Sequence, residues 1–434
     1  MINLYGLLFI VLGMSSLFMI NYGIIFGFLI CITLIAHTFL LVKNKTKLNT
    51  IIVLVNILLT VLEIIGLWLH IYELVYIPQI YCIFLGFCTL FYYFRPLKLV
   101  TKISVIIGYI ISGLLALCLI ITAVFPGRFI KVVADMSLED NPDISYKVSA
   151  LDNGGILYSN VHYGDTYPMS EMDIYVANDL EAPVFFYIHG GGYAAGDKVE
   201  GDPNANDSGF MWYFSNLMNA GYNIVSVNYA LVPEYLYPTP MYQLTEAVEF
   251  LKDNGAPYGI NINEIVFSGS SAGGNLAGQF VNIQTNNEYA KELGMKQVLQ
   301  KDNIKAVVFN SSLLDNSRFG KSNNGSLGLD YLWFQGGRAY FNAGYLDGGN
   351  RLIEQSNVIT NVTINFPRTY ISDGNTGSFL DQAIDLHDRL DELGIENTFF
   401  HVDLSEGVTI HGYETSNTEY GIENMNKLLE FLNE

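Results

Sequence analysis

The sequence predicts an α/β domain on a mostly parallel sheet with helices on both faces, preceded by an all-α transmembrane region. Three observations predict it. Long apolar segments crowd the first 125 residues. Strand-like and helix-like stretches alternate through the remainder, the pattern of a parallel sheet covered on both sides. One apolar strand-like run breaks into Gly269-Ser270-Ser271-Ala272-Gly273 and then into a small-residue helical pattern.

Five segments, roughly 2–20, 23–42, 50–70, 74–94 and 103–125, are each long enough to cross a hydrocarbon core of about 30 Å. The first lacks a basic leader and is followed at once by further spans, so it reads as retained rather than cleaved. Lys43, Lys45 and Lys47 lie between spans two and three, and Arg95, Lys98 and Lys102 between spans four and five. Basic loops face the cytoplasm, which starts the chain inside and puts everything after Phe125 outside. Arg128 and Lys131 weigh slightly the other way. The expected organisation is a membrane region over 1–125, a linker over 126–150 and an α/β domain over 151–434, in a bacterial cell membrane with the domain extracellular. Glu63 is the acidic residue set well inside a span, where packing is weighed above transport. His37 and His70 fall near span ends.

Charge separates the two parts. Residues 1–131 hold eight Lys/Arg and two Asp/Glu, which leaves 14 against 40 for the rest. A surface of that sign repels polyanions, so nucleic acid is excluded as a partner. Cys31, Cys82, Cys88 and Cys118 all fall in the membrane part. No zinc or redox cysteine motif is present, and the reading calls for no metal and no organic cofactor.

In the α/β domain the expected strands are 171–176, 184–188, 223–228, 264–268, 305–311, 368–372 and 398–402, with helices over 241–254, 275–285 and 380–393. The strand ending at Ser268 runs into Gly-x-Ser-x-Gly, a turn whose glycines let backbone pack on backbone and lift the central hydroxyl clear of the sheet. Ser271 is the candidate nucleophile. After the strand 184–188 comes His189-Gly190-Gly191-Gly192-Tyr193. Consecutive glycines at a strand end leave N–H groups unshielded, as a developing oxyanion requires. Gly191 and Gly192, with the N–H of Ala272, are the candidate oxyanion hole. His189 is expected to order this loop by hydrogen bonding rather than to move protons.

These stretches, with Tyr229-Ala230-Leu231-Val232-Pro233-Glu234, Gly269 to Gly274 and His411-Gly412-Tyr413 in that order, resemble the hormone-sensitive-lipase-like branch of the α/β-hydrolases. The likeness covers roughly 160–430 and implies an α/β-hydrolase fold and serine ester hydrolysis through an acyl-enzyme. The membrane part has no counterpart in these motifs. His411 is the candidate base, on a loop after the last strand. His401 and His387 compete less well, inside strand-like and helix-like runs, and His162 is expected at the surface.

Two departures from the family pattern stand out. Ser270 replaces the aspartate that usually precedes the nucleophile. The family's acid follows the strand ending at Ser372 in a Gly-x-x-Asp pattern, yet Gly374-Asn375-Thr376-Gly377 puts glycine at that place. Asp381, Asp373 and Asp315 are the candidate acids, ranked close together. The segment 316–360, rich in Gly, Tyr, Phe and Asn and containing Trp333, is a possible cap, and 202–212 a possible rim. The expected function is a membrane-anchored carboxylesterase acting on a small-molecule or cell-envelope ester. The alternative is a degenerate hydrolase fold used as a binding or sensing module at the cell surface.

Overall fold

The computed structural model describes residues 31–32, 34–35, 38, 47–69, 77–78, 80–82, 84–85, 126–137, 145–177, 182–198, 211–325, 327–342 and 351–434. The chain forms two units, 1–129 with 325–332 and 130–324 with 333–434.

In the first unit the long helix is α1 (Lys47–Leu69). Asn56, Thr60 and Glu63, spaced four and three apart on one stripe, are buried. Ile51, Leu54, Ile57, Leu58, Val61 and Ile64 are exposed. Asn56 Nδ2 donates to Thr38 Oγ1 at 3.2 Å, and Tyr81 OH donates to Asn56 Oδ1 at 3.1 Å. Beside these polar contacts Leu34, Leu59, Cys82 and Leu85 form a small apolar cluster.

No helix among the described residues is long and apolar enough to cross a membrane, so the five-span region is not supported by them. The reason lies in what they cover. Segments 2–20 and 103–125 lie outside them, as do Lys43, Lys45, Arg95, Lys98, Lys102, His37 and His70, and segments 23–42 and 74–94 are described at scattered positions.

α2 (Pro126–Ser137) precedes the second unit's sheet. Three strands, β1 (Lys147–Ala150), β2 (Ile156–His162) and β3 (Glu171–Val176), pair antiparallel. Then follow β4 (Val184–Ile188), α3 (Met211–Asn219), β5 (Asn223–Val227), α4 (Thr239–Asn254), β6 (Ile265–Ser270), α5 (Ala272–Thr285), α6 (Asn287–Leu293) and β7 (Ile304–Asn310). The segment expected as a cap carries α7 (Leu327–Phe341), α8 (Arg351–Gln355) and α9 (Val358–Asn361). β8 (Thr369–Ser372), α10 (Leu380–Leu393), β9 (Asn397–Phe400) and α11 (Glu419–Asn433) complete the unit.

The strands form one sheet in the order β1-β2-β3-β5-β4-β6-β7-β8-β9. β3 runs antiparallel to β5, and every pair from β5 to β9 is parallel. β4 and β5 are buried at every position, which is why they read as unbroken apolar runs rather than alternations. Phe185 and Tyr187 join Tyr175, Tyr213, Phe214 and, from α11, Leu428 and Phe431 on one face. Phe186 points the other way, with its ring 5.2 Å from Phe267, which lies 5.2 Å from Phe280 of α5. Parallel strands deliver their carboxyl ends to one edge, so the loops after β4, β6, β7, β8 and β9 gather there.

Candidate active site

Ser271 follows β6 with φ 56° and ψ −121°, a conformation that costs an L-residue strain and that the surrounding turn enforces. The turn is closed by contact. A Cβ on Gly269 would lie 2.3 Å from the Gly273 carbonyl carbon, and one on Gly273 would lie 2.1 Å from the Ile188 carbonyl oxygen. Ser271 N–H donates to Asn310 O at 3.1 Å, and its carbonyl accepts from Gly274 and Leu313. Ser271 is thus held from β7 and from the first turn of α5.

The loop after β4 lies against this turn. A Cβ on Gly190 would meet Ser270 O at 3.0 Å and Ser271 Cβ at 3.3 Å. Gly191 adopts φ 99° and its carbonyl is taken by the N–H groups of Ala194 and Ala195. Among the described residues no hydrogen bond uses the N–H of Gly191, Gly192 or Ala272. Three donors at one strand edge are left unspent. His189 is buried, its ring stacked on Tyr229 at 4.3 Å, and its Nδ1 lies 2.8 Å from Gly190 O. Burial pushes its pKa down to about 4, so it is neutral and holds the loop, as expected from sequence. Tyr229 OH donates to the carbonyls of His189 and Gly190, which gives the Tyr-x-Leu-x-Pro-Glu stretch a structural reason.

His411 is carried by the loop between β9 and α11. Gly412 N–H donates to Ser311 Oγ at 3.0 Å, and Ser311 Oγ donates to Glu414, 2.7 Å from one carboxyl oxygen and 2.9 Å from the other. Asn375 ties this loop to the one after β8: its Nδ2 donates to Val402 O and Gly407 O, and its Oδ1 accepts from Thr409 N–H. Trp333 of α7 meets the His411 ring edge-on at 4.4 Å, and Phe379 does so at 5.5 Å. These apolar walls push the pKa of His411 down to about 3, leaving a neutral imidazole.

The third position departs from expectation. His411 Nδ1 lies 2.8 Å from Ser378 Oγ, a hydroxyl where a carboxylate was sought. Sequence alignment put Gly377 at that place; the structure puts its neighbour there. Asp381 is held by Arg318 Nη1 at 3.2 Å, and no hydrogen bond joins it to His411 among the described residues. Asp315 is held by the same arginine at 3.0 Å and caps the turn at Ser317. Asp373 is fully buried behind this position, its Oδ1 accepting from Phe379 N–H at 3.1 Å. Burial and then the nearby Glu414 raise its pKa well above the usual range, while Ser378 and Phe379 pull it back down.

The remaining histidines stand apart. His162 is exposed beside Asp165, His387 of α10 contacts Asn397, and His401 stacks on Phe399. The expected cap reaches the site through Trp333 and through Gly336, where a Cβ would lie 3.1 Å from Gly192 O. It is anchored by Asn316, which donates to Asn275 and Ser356 and accepts from Tyr193 OH. The expected rim over 202–212 lies outside the described residues save for 211–212. No cluster of His, Cys, Asp and Glu among the described residues could hold a metal. Ser378, Ser311, Glu414 and Asn375 escaped the sequence reading, and the signal for Ser378 was its place one residue past the aligned acid.

The family model for BD-FAE matches residues 172–390, half of the chain. The chain belongs to the BD-FAE family. The matched range takes in the oxyanion loop, the elbow and the loop of Ser378, and it ends before His411. Among the chain's sequence relatives, esterase LipI of Mycobacterium tuberculosis is 33% identical over 100 residues, covering 23% of this chain and 29% of LipI. Arylacetamide deacetylase of Bos taurus is 36% identical over 94 residues, covering 21% of this chain and 22% of the deacetylase. The chain thus spans under a third of either relative's length. Among solved structures, esterase B from Lactobacillus rhamnosis aligns at a TM-score of 0.53 with 19% identity, over 66% of this chain and 86% of that one. A truncated carbohydrate esterase from gut microbiota aligns at 0.52 with 17% identity, over 66% and 98%. At such identity the likeness establishes the fold, which is that of the α/β-hydrolases.

Proposed function

We propose that this BD-FAE chain is a membrane-anchored serine carboxylesterase. The observation that carries the reading is Ser271, held at φ 56° beside three N–H groups that no described residue uses. Ser271 Oγ attacks the ester carbonyl while His411 Nε2 takes its proton. The N–H groups of Gly191, Gly192 and Ala272 receive the oxyanion. His411 then returns the proton to the leaving alcohol, and water, deprotonated by the same nitrogen, releases the acid from the acyl-enzyme. The neutral state of His411 supports its role as base, and the aromatic walls of Trp333 and Phe379 support an apolar seat for part of the substrate.

The membrane reading draws support from α1. A helix that turns Ile and Leu outward and Asn, Thr and Glu inward has the reverse of the pattern water selects, and hydrocarbon favours it because polar groups such as Asn56 find partners inward. The lysines and arginines of the short loops support an outward-facing catalytic unit. An acidic, outward-facing enzyme fits uncharged esters of the cell envelope or medium, such as acylated glycans or lipids. One observation favours a second reading, a binding or sensing module without turnover: the place of the triad carboxylate is held by Ser378.

One experiment separates these. Cells expressing the full chain are treated with a fluorophosphonate too polar to cross a membrane, and membrane extracts are assayed on short p-nitrophenyl esters. The expected outcome is labelling of intact cells and turnover, both lost in Ser271→Ala. Labelling only after lysis would place the catalytic unit inside. Neither labelling nor turnover in any preparation would leave the binding module as the reading.

A further inference from the structure

Resting on the esterase reading, we infer that the charge normally supplied by the triad acid comes from Asp373 and reaches His411 through the hydroxyl of Ser378. Ser378 Oγ sits 2.8 Å from His411 Nδ1. For His411 to act as base at Nε2, Nδ1 must carry the proton, so Ser378 accepts the N–H and must point its own proton elsewhere. A suitable acceptor stands beside it. Asp373 Oδ1 takes the N–H of Phe379, the residue that follows Ser378, while Asp373 Oδ2 is buried with no hydrogen-bond partner among the described residues. An orphaned carboxyl oxygen in a closed pocket costs about 1–3 kcal/mol unless something uses it.

The chain therefore reads His411 Nδ1–H to Ser378 Oγ, then Ser378 O–H to Asp373. When Asp373 is ionised both of its oxygens accept, so the direction of both hydrogen bonds, and with it the tautomer of His411, is fixed; protonated at Oδ2 it would donate to Ser378 as an amide does. No bond breaks in the relay. When Ser271 gives its proton to Nε2, the imidazolium is stabilised across Ser378 by the carboxylate. Burial raises the pKa of Asp373, which places that added stabilisation above the pH range in which an exposed aspartate would supply it. Asp373 and Ser378 are positioning residues in this arrangement; they touch neither substrate nor nucleophile.

The test uses the full chain in detergent and compares wild type with Asp373→Asn, Ser378→Ala and the double variant Asp373→Asn/Ser378→Asp. In Asp373→Asn the amide keeps its oxygen toward Phe379 N–H and turns NH2 toward Ser378. Ser378 then donates to Nδ1 and forces the wrong tautomer. The expected result is a loss in kcat of about 10²–10⁴-fold, the scale set by the equivalent tautomer error in serine proteases, with KM little changed and the alkaline rise of the pH–rate profile gone. Ser378→Ala is expected to lose about 10–10²-fold, the low end of what a mispositioned base costs. The double variant puts a carboxylate directly on Nδ1 and is expected to recover at least tenfold over Asp373→Asn. Active wild type with an unchanged kcat and pH profile in Asp373→Asn overturns the relay and leaves the esterase reading standing, as does a double variant no faster than Asp373→Asn. A wild type that neither hydrolyses ester nor labels at Ser271 overturns both.

Discussion

The two halves of the site are built in different ways. Around Ser271 the chain supplies backbone: the loop after β4 and the turn after β6 bring N–H groups and close glycine contacts together, and a Cβ at Gly273, Gly191 or Gly269 would lie within 2.3 Å of neighbouring main chain. Around His411 it supplies side chains: Ser378, Asn375, Ser311 and Glu414 bridge the loops after β7, β8 and β9. Backbone sites tolerate one residue, glycine. Side-chain networks tolerate exchanges so long as donors and acceptors balance. That difference explains why the glycines of the first half keep the resembled pattern while the acid position of the second departs from it.

The largest expected effect that would break this contrast lies in the backbone half. Gly191→Ala puts a Cβ 2.1 Å from Ala195 O in a residue at φ 99°, so the loop must move and one oxyanion donor goes with it. A loss in kcat of about 10²–10³-fold is expected, measured on p-nitrophenyl esters, with melting temperature nearly kept because Gly191 lies at the loop rather than in the sheet. Full activity in this variant would show that the donors lie elsewhere.

A smaller effect is expected from the side-chain half. Asn375→Ala removes the partners of Val402 O, Gly407 O and Thr409 N–H in a buried place. The cost is about 1–3 kcal/mol in urea unfolding. The loop carrying His411 then shifts against Ser271, and misplacement by about 1 Å lowers kcat by up to about 10²-fold. Stability falling with kcat intact would show that His411 is positioned by the Ser311 contact alone.

The same contrast governs what sequence could reveal. The seven expected strands appear as β3 to β9, β3 and β4 with the expected ends and the other five with ends shifted by one or two residues, because the central strands, buried on both faces, leave apolar runs. β1 has no buried position, and β2 alternates exposed and buried positions across a bulge at residues 158–161, so neither leaves an unbroken apolar run. α3 and α11 went unseen although their apolar faces are buried in the main core; their neighbours across the sheet, distant in sequence, decide that burial. Ser271, Gly191, Gly192, Ala272 and His411 could be nominated from sequence because tight turns and glycines leave a fixed spacing. The candidate acids could not be separated there, because Arg318 holds Asp315 and Asp381, and no spacing rule discloses which carboxylate a distant arginine will take.

The smallest effect concerns stability against pH. In the side-chain half burial raises Glu414 from 4.5 to about 8, so between those values the fold keeps a proton the unfolded chain releases, and stability falls as pH rises. Asp373 acts in the same direction. His189 and His411 are lowered from 6.5 to about 4 and about 3; below 6.5 the unfolded chain binds protons the fold refuses, and stability falls as pH drops. Each unbalanced proton is worth about 1.4 kcal/mol per pH unit. Between about 4.5 and 6.5 the two trends oppose, which sets the expected maximum there. Glu414→Gln, which keeps an acceptor for Ser311, is expected to flatten the decline in melting temperature between pH 6.5 and 8 while leaving the acid side unchanged. A decline that persists undiminished would assign the alkaline arm to Asp373 instead, and a maximum above pH 8 would mean that Glu414 is ionised in the fold and pairs with a group the Ser311 network does not include.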